Sequence, residues 1–164
     1  MDSSKIIDVL IDCASKKEEV LRELLQMTIN QGNWIKRGDL NQLEETIKQK
    51  QLLIEKINHL DGLFLQYYPQ LKKHLNIESI EKVDIRQYPV LRQLKLHIGN
   101  IMKLLEEIRS IDAQNTENLK EDLNKLKADM KKIKIEKQGA KIALSYTKKY
   151  ADVQGVFLDN KNKW

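Results

Sequence analysis

The sequence predicts an all-α fold: an antiparallel three-helix bundle or coiled coil with a long third helix and a flexible C-terminal segment. Three observations carry this. The composition is heavily charged (32%) and poor in aromatics (5%), with only 6 Gly and 2 Pro in 164 residues, which is the mix of a helical bundle. Apolar residues recur at steps of three and four along most of the chain, the period of an amphipathic helix. Helix punctuation is confined to two places, Gly38-Asp39 and the stretch between Pro69 and Pro89, which leaves three periodic segments. The expected layout is a bundle over residues 1–135, with helices at about 4–36, 40–68 and 89–135, then a C-terminal amphipathic helix and tail over 136–164.

The first helix starts near Ser3 or Ser4, either of which can cap it. Ile6, Leu10, Cys13, Val20, Leu24 and Met27 form one stripe, interrupted by Lys17, and Ile7, Ile11, Ala14, Leu21 and Leu25 form a second beside it. Two adjacent stripes make a face wide enough for two partner helices. Cys13, the single cysteine, sits in the stripe and reads as a small buried apolar residue, with no His or Asp in helical reach to activate a thiolate. The helix is expected to run through Gly32 and stop at Gly38, a residue suited to the position just past a helix end. Trp34 then lids the end of the bundle.

Asp39 is the expected cap of the second helix, with Gln42 three positions on in the manner of a capping box. Leu43, Ile47, Ile54, Ile57, Phe64 and Tyr68 form its stripe, and Lys50 and Asp61 interrupt it. Tyr68-Pro69 is expected to end it, because proline disfavours the α region in the residue before it. Residues 70–87 read as a short helix at 71–75 and then an extended connection whose Leu75, Ile77, Ile80, Val83 and Ile85 tuck onto the bundle end.

Pro89 opens the third helix at a position where its missing N–H is harmless. Leu91, Leu94, Ile98, Ile101, Leu105 and Ile108 form its stripe. After a polar break from Asp112 to Asn118 the stripe resumes with Leu119, Leu123, Leu126, Met130 and Ile133. A periodic run of this length without a stop signal is that of a coiled coil or long bundle helix. Ala140, Ile142, Ala143, Leu144, Tyr146 and Tyr150 extend the pattern into one further amphipathic stretch.

Charge and missing motifs exclude several functions. The net charge is +5, and the segment 119–149, with ten lysines against four acidic residues, accounts for all of it. The cations there are all Lys, whereas base readout and phosphate clamping favour the arginine fork, so the run reads as a solvated helix face and not as a nucleic-acid site. No run of about 18 apolar residues is present, so no stable membrane insertion is expected. One cysteine and no secretory leader pattern fit a cytoplasmic protein. His59, His74 and His97 stand at no metal-ligand spacing, no nucleotide-binding or hydrolase motif occurs, and the carboxylates alternate with Lys as surface pairs. Neither an enzyme nor a cofactor or metal is expected.

Several features together bring a family into view. The double apolar stripe runs through VLRELLQMTINQGNWIKRGDLNQLEETIKQKQLLIEKI, with the Gly38-Asp39 break and a Gln/Lys-rich second helix. Asn115 and Asn118 lie in IDAQNTENL, a basic C-terminal stretch ends in Tyr, and the tail reads YADVQGVFLDNK. In these the chain resembles the FlgN family of flagellar type III export chaperones, in its Gram-positive form. The resemblance implies a cytoplasmic, non-catalytic chaperone. Such a protein binds the C-terminal helical segments of hook-associated (hook–filament junction) proteins, prevents their premature assembly and delivers them to the export gate. On that reading the client-binding surface comprises Leu123, Leu126, Met130, Ile133, Ile142, Ala143 and Tyr146. An amphipathic partner helix would lie there as a temporary coiled coil, with the lysines steering an acidic partner. Tyr146 or Tyr150 would match the family's gate-docking tyrosine. Asn115 and Asn118 read as a polar layer that sets coiled-coil register, or as direct ligand contacts. The alternatives are a self-associating structural coiled coil (a homo-oligomer) and a Lys-rich nucleic-acid or membrane-surface binder.

Overall fold

The structure is a computed structural model and describes residues 2–132 together with Leu144. It is an all-α helical bundle with no strand among the described residues. Helix α1 spans Ser3–Arg37, α2 spans Leu40–Leu75, and a 3₁₀ turn at Pro89–Leu91 leads into α3, Arg92–Lys132. The expected C-terminal segment, 136–164, lies outside the described residues apart from Leu144.

The helix ends follow local chemistry, with two departures from expectation. Asp2 caps α1, its Oδ1 accepting from the Lys5 N–H at 2.9 Å. Ser3 is already helical, and its Oγ instead bonds His74 Nδ1 at 3.1 Å. A carboxylate in that place satisfies an orphan donor and also suits the positive helix end. At the other end, Gly38 has φ +66. Its N–H donates to Ile35 O, and the Asp39 N–H donates to Trp34 O, the pair of bonds of a Schellman stop. Asp39 Oδ1 then accepts from the Gln42 N–H at 3.1 Å and starts α2.

The second departure is that α2 continues through Pro69 to Leu75. Proline inside a helix costs about 3 kcal/mol through one lost hydrogen bond and a clash with the preceding turn. Here Leu65 and Pro69 lie on the exposed side, where water can take the freed carbonyl, and two residues on Leu71 is completely buried. Burial of a leucine returns roughly 1.5–3 kcal/mol, so packing offsets the break. The helix stops instead at Asn76, which takes φ 52. Its N–H and that of Ile77 close onto Lys73 O and Lys72 O, a second Schellman stop.

Two compact units divide the chain, and each helix contributes to both. Unit 1 comprises Met1–Gln26 and Gln51–Glu107. Within it α1 and α2 are antiparallel, as the Ser3–His74 bond and the Lys17–Asp61 ion pair require. Ile6, Leu10, Leu21, Ile54, Ile57, Leu71 and Leu94 form the centre of its core. The connector after α2 folds onto this unit as expected, with Ile80 and Val83 buried. Its polar groups are met locally. Tyr68 Oη accepts from the Ile80 N–H at 3.0 Å, Tyr88 Oη donates to Leu75 O, and Lys95 Nζ donates to Val83 O at 2.9 Å.

Unit 2 comprises Met27–Lys50 and the chain from Ile108 on. Here too α1 and α2 are antiparallel, since they turn on Gly38-Asp39, and α3 runs antiparallel to α2. Gln31 meets Lys50, Lys50 meets Asp112, and Ile35, Leu43 and Leu119 pack together. The polar stretch from Asp112 to Asn118 interrupts the apolar stripe and not the helix.

Candidate partner-binding surface

Unit 2 has an unusual interior. Thr28, Gln31, Thr46, Lys50, Asp112 and Asn115 are buried there, beside the apolar Ile35, Leu43, Ile108 and Leu119. Lys50 is the centre of this polar layer. Its Nζ donates to Gln31 Oε1 at 2.9 Å and to Asp112 Oδ1 at 3.3 Å, with both charged side chains under 5% exposed. Burial pushes the Lys50 amine below its ordinary range, and the Asp112 carboxylate beside it partly restores the charge. Asn115 Nδ2 donates to Thr28 O at 3.0 Å. Gly32 makes room for this amide, because a Cβ at that position would stand 2.7 Å from Asn115 Oδ1. Asn118 is half-buried and accepts from Gln114 Nε2 on its own helix, so the two asparagines have different surroundings.

The interruptions noted in the sequence therefore find one another. Lys17 on α1 pairs with Asp61 on α2 at 2.6 Å in unit 1, and Lys50 on α2 pairs with Asp112 on α3 in unit 2. Sequence reasoning treated Lys50 as a gap in a stripe and did not single out Gln31, Thr28 or Asp112 as buried. The available signal was a charge at a core position on one helix matched by an opposite charge at a core position on another.

Beyond the layer, Ile35, Leu43 and Leu119 form a small apolar cluster flanked by Trp34, Leu40, Ile47 and Leu123. The Arg37 guanidinium lies 5.3 Å from the Trp34 ring centre, a cation–π distance. Leu40 is the first residue of α2, so this cluster marks the turn between α1 and α2. Helix α3 goes on past it to Lys132, roughly 14 Å beyond Leu123 at 1.5 Å per residue. No described residue after Leu119 is buried, and Leu123, Leu126 and Met130 are half-buried. Their spacing keeps them on one side of the helix. Lys120, Lys125, Lys127, Lys131 and Lys132 outnumber Glu121, Asp122 and Asp129 around them. Ile133, Ile142, Ala143, Tyr146 and Tyr150 lie outside the described residues.

This is a helix end with apolar contacts to offer. Among the described residues no group of three or more His, Cys, Asp or Glu side chains could hold a metal ion. No described helix is long and apolar enough to cross a membrane. Cys13 is buried, and burial first, then the Asp12 carboxylate, raises its thiol above the ordinary value, the reverse of an activated nucleophile. Against that background, the family model described as FlgN protein matches residues 1–149. The chain belongs to the FlgN family. Comparison with curated proteins and with solved structures gave no significant match. FlgN proteins are flagellar export chaperones and not an enzyme family, which gives this chain a general role in binding flagellar proteins for export. The match covers the whole of the described helical bundle and runs on into the Lys-rich segment beyond it.

Proposed function

We propose that this FlgN-family chain is a cytoplasmic chaperone for hook–filament junction proteins. It binds their C-terminal helical segments, keeps them from assembling before export and hands them to the type III export gate. One observation supports the reading above others. The third helix runs on past the turn between its two companions and carries Leu123, Leu126 and Met130 along one side, each only half-buried, with Leu123 packed on the small cluster at that turn.

The physical logic is that of a helix laid in a groove. A subunit whose terminal helices assemble only outside the cell exposes apolar stripes inside it. A chaperone helix with a matching stripe covers them reversibly. Leu123, Leu126 and Met130 start that surface, and Ile133, Ile142, Ala143 and Tyr146 continue it along the sequence. Met130 suits an adaptable contact, because its thioether side chain is flexible and polarisable. The surrounding lysines raise the encounter rate with an acidic helix. Tyr146 or Tyr150 serves to dock the loaded chaperone on the gate.

Hydrogen exchange of the full chain, with and without a peptide of a junction protein's C-terminal helix, tests the surface. Protection gained across residues 119–150 is the expected result. Amides there that exchange identically in both samples refute the assignment. Capture of junction subunits from the native cytoplasm by the full-length chain tests the client identity, which fails if other proteins are recovered in their place.

A further inference from the structure

Every polar or charged residue buried as a whole among the described residues lies in unit 2. The Lys50–Asp112 pair and its Gln31 contact link all three helices there, and Asn115 adds a further link from α3 to α1. Such a layer is costly to bury. Gln31 Nε2 and Thr116 Oγ1 are buried there without a hydrogen bond, as Glu18 Oε1 and His97 Nδ1 are in unit 1, so what sets unit 2 apart is the Lys50–Asp112 pair enclosed at its centre. A buried ion pair seldom stabilises more than apolar residues of the same shape would, but it strongly opposes misalignment, since slippage leaves a charge unpaired. Desolvation holds the Lys50 amine below its ordinary range, against the pull of the Asp112 carboxylate. Among the described residues the buried apolar complement is Ile35, Leu43 and Leu119, with Ile108 also buried.

We propose that this layer is a register-setting latch, and that unit 2 opens at it as a local cooperative step, α3 from Ile108 onward parting from the α1–α2 turn while unit 1 stays folded. Closed, the latch fixes one alignment. Open, α3 gains Leu119 at the head of the stripe Leu123, Leu126 and Met130, so the apolar run offered to a partner helix begins one turn earlier. This last consequence rests on the chaperone reading above. The latch itself does not, because it is a property of the free protein.

Native-state hydrogen exchange on the full-length free chain decides the latch. Buried-segment amides at 27–50 and 108–132 should exchange together, at least about 100-fold faster than those at 3–26, 51–75 and 92–107. Uniform protection across both units overturns the proposal, and needs no mutant. The triple variant Gln31→Leu, Lys50→Met, Asp112→Leu replaces the layer with apolar groups. It should slow exchange in unit 2 by about 10-fold or more and leave unit 1 unchanged. Faster exchange in unit 2 of a variant with wild-type helix content also overturns it. If opening precedes binding, the same variant binds the junction-protein peptide roughly 10-fold more weakly than wild type, because the binding-competent state is rarer. Equal affinity removes opening from the binding step. A wild-type chain that does not bind the peptide refutes the client reading and leaves the exchange result to judge the latch.

Discussion

Unit 1 and unit 2 share three helices and are stabilised on different principles. Unit 1 buries Ile6, Leu10, Leu21, Ile54, Ile57, Leu71, Ile80, Leu91 and Leu94 almost completely, and among its described residues the polar side chains of Glu18 and His97 keep 12% and 16% exposure although Glu18 Oε1 and His97 Nδ1 are themselves buried. Its Lys17–Asp61 pair keeps 17% and 30% side-chain exposure, so water still solvates both charges. Unit 2 places a lysine and an aspartate under 5% exposed in its centre, surrounded by Gln31, Thr28 and Asn115. Apolar burial is non-directional and scales with area. Buried hydrogen bonds are directional, and each unmet one costs about 1–3 kcal/mol. The lesson is that one continuous helix can belong to a stable core at one end and to an alignment device at the other.

The largest test compares single truncations in the two units. Asp112→Ala leaves the Lys50 cation buried with no counterion and should cost about 3–5 kcal/mol, read as lost protection confined to unit 2. Ile57→Ala opens a cavity in the core of unit 1 and should cost about 2–5 kcal/mol, read as a lower urea midpoint for the whole protein. If both variants weaken both units equally, the contrast drawn here disappears.

Glycines sharpen it next. Gly99 lies in α3 within unit 1, with open space where a Cβ would go, so Gly99→Ala should gain roughly 0.5–1 kcal/mol from helix propensity. Gly32 lies in α1 within unit 2, against an Asn115 side chain that is buried and bonded to Thr28 O. Gly32→Ala should therefore lose about 1–3 kcal/mol by overpacking. Thermal melts of the two variants should shift in opposite directions. Shifts of the same sign would mean that Asn115 can move aside.

Caps come third. Asp2→Ala and Asp39→Ala each remove one carboxylate from a helix start and should each cost about 1 kcal/mol. Exchange should place the loss from Asp39→Ala in unit 2 and that from Asp2→Ala in unit 1.

The smallest effect is a pH dependence. The folded state holds the Lys50 amine below its ordinary value, so the unfolded chain binds more protons in the interval between the two. Stability must then rise with pH through that interval. Urea midpoints of wild type and Lys50→Met, compared from neutral pH toward the ordinary lysine range, isolate the contribution, which should be absent from the variant. Parallel curves would show that Lys50 titrates as an exposed lysine does.

The sequence made the helices legible because their signals are local. Gly38 and Asp39 write a stop and a start in adjacent positions, and the structure places a Schellman bond pair and a cap there. The tuck of Ile80 and Val83 was legible for a similar reason, since apolar residues in a long connector have few other places to go. The passage through Pro69 was not, because it depends on Leu71 reaching a core assembled from other helices. Asp2 stands beside two serines that are equally good caps by type, and only the backbone path distinguishes them. For the candidate surface, the spacing of Leu123, Leu126 and Met130 was readable, whereas the packing of Leu123 on Ile35, Leu43 and Leu119 depends on where α1 and α2 turn.

By itself the sequence determined that this chain is helical, where two of its turns lie, and that its third helix outlasts the others, because periodicity, capping and punctuation act over a few residues. Tertiary structure alone decided which interruptions face one another. Whether Lys50 is a solvated defect or the centre of a buried layer depends on Asp112, 62 positions away, and on the alignment of separate helices that brings the two together.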